Sequence, residues 1–397
     1  MKAIVIVALL VAPAWAQPAD VTADQAVALY REHSPRLTAT RAQVDVTAAD
    51  LVDAGIYPNP SIAVSTTNIV QGQDTFGHSQ ETLELDVPIL IGGQRGHRKD
   101  AAGARVATKR AEVAAGQATA ELDVRRKWLA LLASQQKVAA LATALDDDKA
   151  VRVIVAGRQA AGAKSPYELE RMDLAVATAA SKLDEAKIDD EVAANALAAA
   201  VGLRDWRPHA VGDFKPSAEL AAALSGDHPE LAVPRAAQTQ ARLEEDQAHA
   251  DAVPTPSLQL QSFGTTDPEG IAIMLGISIP LPIFDRNQGA VARARASAQQ
   301  AHLEHDAKTQ ELATELGHAT HVLAARKLGL VQFEADAFGR LDKVRQMAEA
   351  SYKSGQGGIV ELLDALDAIT EARARHVELI EAVLDAELDV RAAATGR

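Results

Sequence analysis

The side chains that could carry chemistry in this chain are histidines and acids, because it contains no cysteine. Two histidine pairs, His302/His305 and His318/His321, have i,i+3 spacing, which places two imidazoles on one face of a helix. Such a pair can bind a metal ion, but the spacing is also typical of the solvated face of a long helix. We favour the solvated face. We therefore predict no catalytic residues, no cofactor-binding residues and no metal ligands.

Acidic residues occur in two other settings. Glu84 and Asp86 alternate with apolar residues, as in a β-strand. Asp146, Asp147 and Asp148 form a run that we interpret as a turnaround after a long helix, and Asp336 has a similar place later in the chain. Acids near a helix C-terminus oppose its dipole, so the run needs either a use or a place at the start of the next helix.

A glycine-rich stretch at 92–96, GGQRG, could suggest a phosphate-binding loop. It lacks the Gly-Lys-Ser/Thr ending that such a loop requires. We interpret it as a corner between a strand and a helix.

The alternating stretches predict two β-hairpins, at about 61–88 and about 257–280. Prolines end each returning strand, because proline cannot donate to the ladder. Period-two alternation divides the strand residues between two faces. One face carries Leu83, Leu85, Ile273, Leu275 and Ile277, and the other carries Glu84, Asp86, Gln259 and Gln261.

Helices fill most of the remaining chain. Arg95 to about Leu145 contains no proline and keeps a seven-residue apolar spacing, which predicts a rod of roughly 75 Å with coiled-coil-like packing. A second long helix is expected from about Gln288 to Glu334. Gly162 and Gly355 are expected to break the returning helices at a belt around the middle of the rods.

Similar stretches recur about 194 residues apart, which predicts an internal duplication. The pair His228-Pro229 follows the pattern of Ser34-Pro35. We therefore expect a first repeat at 17–205, a linker at 206–226 and a second repeat at 227–397.

Composition limits the class of protein. The 397 residues carry a net charge of -14 without a basic block, which argues against nucleic-acid binding. Aromatic residues make up only 3%, so closely packed helical layers fit better than a thick core. Lys2, an apolar run and the Ala14-Trp15-Ala16 site predict a secretory signal peptide at 1–16.

Four strands cannot close a barrel, and open strand edges cannot face lipid. The strands therefore form either an ordinary soluble sheet or part of a barrel that several chains share. Two chains would supply eight strands and three would supply twelve.

Three motifs carry a resemblance to a known family: Tyr57-Pro58-Asn59-Pro60-Ser61 (YPNPS), the run LPIFDRNQG at 281–289, and YKSG at 352–355 followed by ELLDA at 361–365. Over nearly its whole mature length the chain resembles the TolC-like outer-membrane efflux family. The LPIFDRNQG run most resembles the heavy-metal (Czc/Cus-type) branch.

The resemblance implies a mainly α fold with a small β part: a homotrimeric α-barrel in the periplasm topped by a twelve-stranded β-barrel in the outer membrane. It implies a passive duct, not an enzyme, that works with a periplasmic adaptor and an inner-membrane RND pump. Divalent heavy-metal cations lead as substrates, with drugs or secreted polypeptides as alternatives. An alternative of another class is a soluble periplasmic coiled-coil adaptor.

Within that barrel the apolar strand face would contact lipid, and the face with Glu84 and Asp86 would line the lumen. The acids Asp146, Asp147, Asp148 and Asp336 would lie at the periplasmic tip and attract cations. Without cysteine, an acyl anchor is excluded.

Overall fold

The computed structural model describes residues 19–68, 79–162, 165–217, 223–266 and 269–396. The predicted signal peptide, 1–16, lies outside the described residues. The fold is mainly helical with a small strand part, as expected from the sequence. The elements of the first half are β1 Asp20–Val21, α1 Ala23–His33, α2 Pro35–Ala54, β2 Ser61–Asn68, β3 Ser79–Pro88, α3 Gln94–Ala160 and α4 Pro166–Val201.

Among the described residues, the second half contains three strands, four α-helices and a short 3-10 helix. Its elements are β4 His209–Ala210, α5 Pro229–Asp251, β5 Ser257–Thr266, β6 Glu269–Ser278, α6 Gln288–Asp336, a short 3-10 helix Phe338–Arg340, α7 Leu341–Ser354 and α8 Ile359–Thr395. Both predicted hairpins are present. They join edge to edge in one antiparallel sheet with the order β2-β3-β5-β6.

Local sequence signals explain the helix boundaries in the first half. The Thr22 hydroxyl and the Gln25 side chain form a capping box at the start of α1. Ser34 caps α2 by accepting a hydrogen bond from the Leu37 N–H, and Pro35 occupies the first turn, where its missing N–H costs nothing.

Helix α3 does not turn around at Asp146–Asp148, so that prediction is wrong. The helix runs for 67 residues, about 100 Å, and continues through the three acids to Ala160. A run of three aspartates resembles a polar turn in sequence. In the fold, however, Asp147 forms ion pairs with arginines of two other helices, which offsets the low helix propensity of aspartate.

The turnaround predicted near Asp336–Asp342 is also absent. A short 3-10 helix interrupts the rod, and α8 packs against both α6 and α7, so α7 continues the path of α6. From Gln288 to Ser354 this interrupted rod covers as many residues as α3 does, 67.

Gly162 and Gly355 do not mark a belt, which corrects a third prediction. Each follows the end of a rod, between α3 and α4 or between α7 and α8, and has a positive φ of +71° or +79°. Only glycine adopts that left-handed conformation without steric cost. The two glycines therefore belong to the ends of the helical hairpins.

The segment 206–226, expected to be a linker, is packed in its described part. Trp206 and Ala210 are buried in a core with Leu131 and Leu197. β4 pairs with β1 in parallel, which fastens this segment to the start of the first half.

Candidate functional site

The register of the sheet places the four polar candidates side by side. Glu84 lies opposite Gln261, and Asp86 lies opposite Gln259, across the β3–β5 ladder. Directly opposed residues share a face, so these side chains form two neighbouring pairs on one surface.

The apolar candidates occupy the other face. Leu85, Leu260 and Leu275 are aligned across three strands. Ile273, Leu275 and Ile277 remain 75%, 69% and 70% exposed in the single chain. A contiguous apolar surface of this kind marks contact with lipid or another protein.

The sheet has two open edges within the described residues. β2 pairs only with β3, and β6 pairs only with β5. The outer sides of β2 and β6 therefore offer free backbone N–H and C=O groups to further strands.

Two related corners connect the sheet to the rods. Gly93 (φ +71°) precedes α3, and Asn287 (φ +59°) precedes α6. Just after each, a glutamine side chain accepts a hydrogen bond from the backbone N–H two residues earlier: Gln94 from Gly92 at 2.9 Å and Gln288 from Arg286 at 2.7 Å. The GGQRG stretch is thus a corner, as predicted.

The acids expected at the tip lie along the rods instead. Asp147 is 2.7 Å from Arg345 and 2.9 Å from Arg373. Asp146 is exposed, 3.4 Å from Lys149. Asp336 is exposed at the last residue of α6.

Asp148 differs from these acids because it is buried. Burial, followed by the negative charges of Asp367 and Asp147, raises the pKa of Asp148 to about 6, and Lys182 acts in the opposite direction.

The true ends of the hairpins are held together by contacts that sequence reasoning missed. The Tyr352 hydroxyl donates to a Glu168 carboxylate oxygen at 2.6 Å. The Arg158 guanidinium donates to the carbonyls of Tyr352 and Lys353 and lies over the Tyr352 ring. The YKSG motif at 352–355 contains this tyrosine, but its spacing does not indicate Glu168 as the partner.

The two histidine pairs lie along α6. Nδ1 of His302 and of His305 lie 3.2 Å and 3.4 Å from the Asp306 carboxylate, and His318 and His321 are exposed. In the part of the chain that is described, no three His, Cys, Asp or Glu side chains could hold a metal ion. Within the same residues, no helix is long and apolar enough to span a membrane.

Comparison with known sequences points to one family. The family model described as "Outer membrane efflux protein" matches residues 221–396. The cobalt-zinc-cadmium resistance protein CzcC of Cupriavidus metallidurans is 26% identical over 372 residues, which cover 91% of this chain and 86% of CzcC.

Comparison with solved structures supports the fold over nearly the whole chain. CusC matches with a TM-score of 0.76 at 18% identity, covering 94% of this chain and 92% of CusC. VceC of Vibrio cholerae matches with a TM-score of 0.73 at 18% identity, covering 94% and 95%. The second half of the chain thus matches the outer membrane efflux protein family, and the fold of CusC and VceC matches nearly the whole chain.

Proposed function

We propose that this protein is the outer-membrane channel of a tripartite efflux system and that it exports divalent heavy-metal cations. One observation carries the proposal: a four-stranded sheet with an exposed apolar face and two open edges stands on helical rods of about 100 Å. A soluble protein would have to cover that face and those edges.

Three copies of the chain would close the barrel. In this assembly β6 of one chain pairs with β2 of the next, which satisfies the open edges and gives twelve strands. The resemblance to the family supports three chains rather than two.

In the closed barrel the two sheet faces meet different surroundings. Leu83, Leu85, Ile273, Leu275 and Ile277 would contact lipid, while Glu84, Asp86, Gln259 and Gln261 would line the lumen. In the single chain Asp86 Oδ1 is buried without a hydrogen-bond partner among the described residues, and the charge of this carboxylate would attract cations to the polar face.

The internal duplication remains part of the proposal, and the structure supplies support for it. The corners at Gly93 and Asn287 share a left-handed residue and a glutamine contact. The returning helices α4 and α8 both end at a left-handed glycine next to the first proline of another helix: Gly202 near Pro35 of α2 and Gly396 near Pro229 of α5. We keep 17–205 and 227–397 as the repeats, with 206–226 as a packed connection.

Metal cations are the favoured substrates, because CzcC is a cobalt-zinc-cadmium resistance protein and matches most of this chain. The acidic residues of the polar strand face suit cations, although negative lining alone does not give selectivity. Drugs or polypeptides are the alternative cargo. The open-edged sheet argues against the other alternative, a soluble coiled-coil adaptor.

The energy for transport would come from an inner-membrane pump joined through a periplasmic adaptor. We place the adaptor contact at the hairpin ends near Gly162 and Gly355, not at Asp146–Asp148. Asp146 and Asp336, which are exposed, remain candidates for attracting cations along the tunnel.

Accumulation of metal in the natural host tests the function. Cells that lack this gene should retain more Co²⁺, Zn²⁺ and Cd²⁺ than wild-type cells, and a plasmid copy should restore export. The same strains are tested for drug tolerance and for secreted polypeptides. Unchanged metal content together with lost drug tolerance or secretion would replace metal with the alternative cargo.

A further inference from the structure

A buried acid interrupts the apolar seam of α3. Leu141, Leu145, Val151 and Val155 are buried along one side of the helix, and Asp148 falls within the same series with only 9% of its surface exposed. A carboxylate at such a position is costly unless it is paired or takes up a proton.

Asp148 lacks the partners that its neighbour has. Asp147 is held by Arg345 of α7 and Arg373 of α8. In the described part of the chain, no hydrogen bond or ion pair joins the Asp148 carboxylate to another residue. The two adjacent aspartates therefore differ: Asp147 is paired with two arginines, and Asp148 is buried without an ion pair.

The charges that face Asp148 come from three helices. Asp367 on α8 and Asp147 on α3 itself are negative, and Lys182 on α4 is positive. Asp367 is exposed and Lys182 is half-buried, so water screens both more than it screens Asp148. Ionised Asp148 would repel Asp367 across the contact between α3 and α8.

We infer that the α3–α8 contact at Asp148 and Asp367 is sensitive to pH: it tightens when Asp148 takes up a proton and loosens when both carboxylates are ionised. The contact joins the α3–α4 hairpin to the α7–α8 hairpin. Arginines remain charged at all accessible pH values, so Arg345 and Arg373 keep their hold on Asp147 above neutrality. The contact therefore loosens without coming apart.

The direction follows from the raised pKa of Asp148. Its ordinary value is 3.8 and its value in the packed contact is about 6, so the folded contact favours the protonated carboxyl. The stabilisation is complete below about pH 4 and is lost as the pH rises through about 6. Over this range the equilibrium between closed and open contact should change by up to about 100-fold, tenfold for each unit of pKa.

Hydrogen–deuterium exchange of the full-length protein in detergent tests the inference and does not depend on its transport function. After correction for the intrinsic effect of pH, peptides covering 363–372 of α8 should exchange faster at pH 7.5 than at pH 5. Peptides covering 104–113 of α3, far from Asp148, should not change. In Asp148→Asn the difference at 363–372 should disappear.

Two further variants keep the test decisive. Asp367→Asn removes the facing charge and should move the transition to lower pH. Asp146→Asn, on the exposed neighbour, should leave the transition where it is. If the pH difference at 363–372 persists in Asp148→Asn, or is absent from the wild-type protein, the inference is wrong. If Asp148→Asn does not fold, Asp367→Asn decides the test. A transition in exchange at 363–372 that stays at the same pH in Asp367→Asn would overturn the inference.

Discussion

The Tyr352 hydroxyl and the Glu168 carboxylate, 2.6 Å apart, join the ends of the two helical hairpins of the chain. Tyr352 lies in the last turn of α7, and Glu168 lies in the first turn of α4. Burial, the hydrogen bond to Glu168 and its negative charge raise the pKa of the Tyr352 hydroxyl, so the phenol remains a donor at neutral pH. The pair thus fastens one hairpin end to the other.

Replacing Tyr352 with Phe should loosen these ends. The variant loses a hydrogen bond to a charged group, which should lower the free energy of unfolding by about 1–2 kcal/mol. Thermal unfolding in detergent measures the change. Tyr167→Phe is the control, because the Tyr167 side chain is exposed near the same ends and should have little effect. Equal midpoints of thermal unfolding for the two variants would show that the Tyr352–Glu168 contact does not stabilise the protein.

Gly202 should not tolerate a side chain. Its φ is +93°, and a Cβ would lie 2.8 Å from Cδ of Pro35. Gly202→Ala should therefore cost about 2–4 kcal/mol of stability through backbone strain and overpacking. Gly116→Ala, in open space inside α3, should instead stabilise the helix by about 0.5–1 kcal/mol. Chemical denaturation of both variants checks the contrast. If Gly202→Ala leaves the free energy of unfolding unchanged, the close approach of Gly202 to Pro35 is refuted.

The two sheet faces should respond differently to charge. Leu275→Lys places a cation on the proposed lipid face and should cost about 2–4 kcal/mol near the membrane centre. Gln261→Lys places the same charge on the proposed lumen face and should cost little. The amount of assembled protein in the outer membrane is the measurement. If the two variants lose equal amounts of assembled protein, the assignment of the lipid and lumen faces is wrong.

Glu121 should contribute to stability in a pH-dependent way. Burial raises its pKa, but hydrogen bonds from Arg31, at 2.6 and 2.7 Å, and from Gln117 outweigh burial and hold the pKa of Glu121 below its ordinary value. A lowered pKa means that this stabilisation is present above about pH 4.5 and is lost as the pH falls through the folded-state value.

Glu121→Gln should therefore destabilise the protein by about 1–2 kcal/mol at pH 7, since Arg31 is half exposed and partly screened. The difference between variant and wild type should shrink at pH 3. Denaturation at the two pH values tests this, and a difference that stays constant would argue that Glu121 acts only through packing.

The sequence predicted the strands and corners because their signals are local. Alternation at Leu83–Val87 and the Ser34-Pro35 start of α2 depend on neighbouring residues, and the structure contains both elements. The opposite placement of Glu84 and Leu85 follows from the period of a strand. These features do not depend on contacts between residues that are distant in the sequence.

The course of the rods could not be predicted in the same way. Asp147 stays within α3 because Arg345 and Arg373 bind it from positions some 200 residues later. Tyr352 and Glu168 are in contact although 184 positions separate them in the sequence. Single-sequence patterns carry no information on such pairs. The acidic run therefore resembles a turn, and the sequence predicts hairpin ends that lie too early in the chain.

The mass of the protein extracted from outer membranes in mild detergent tests the central proposal, a barrel that several chains share. The strand count and the open edges predict a shared barrel, and the family resemblance selects three chains, in a particle that salt alone does not release. A monomer that resists salt but dissolves in detergent would contradict the shared barrel. A protein that salt releases would contradict the outer-membrane channel itself.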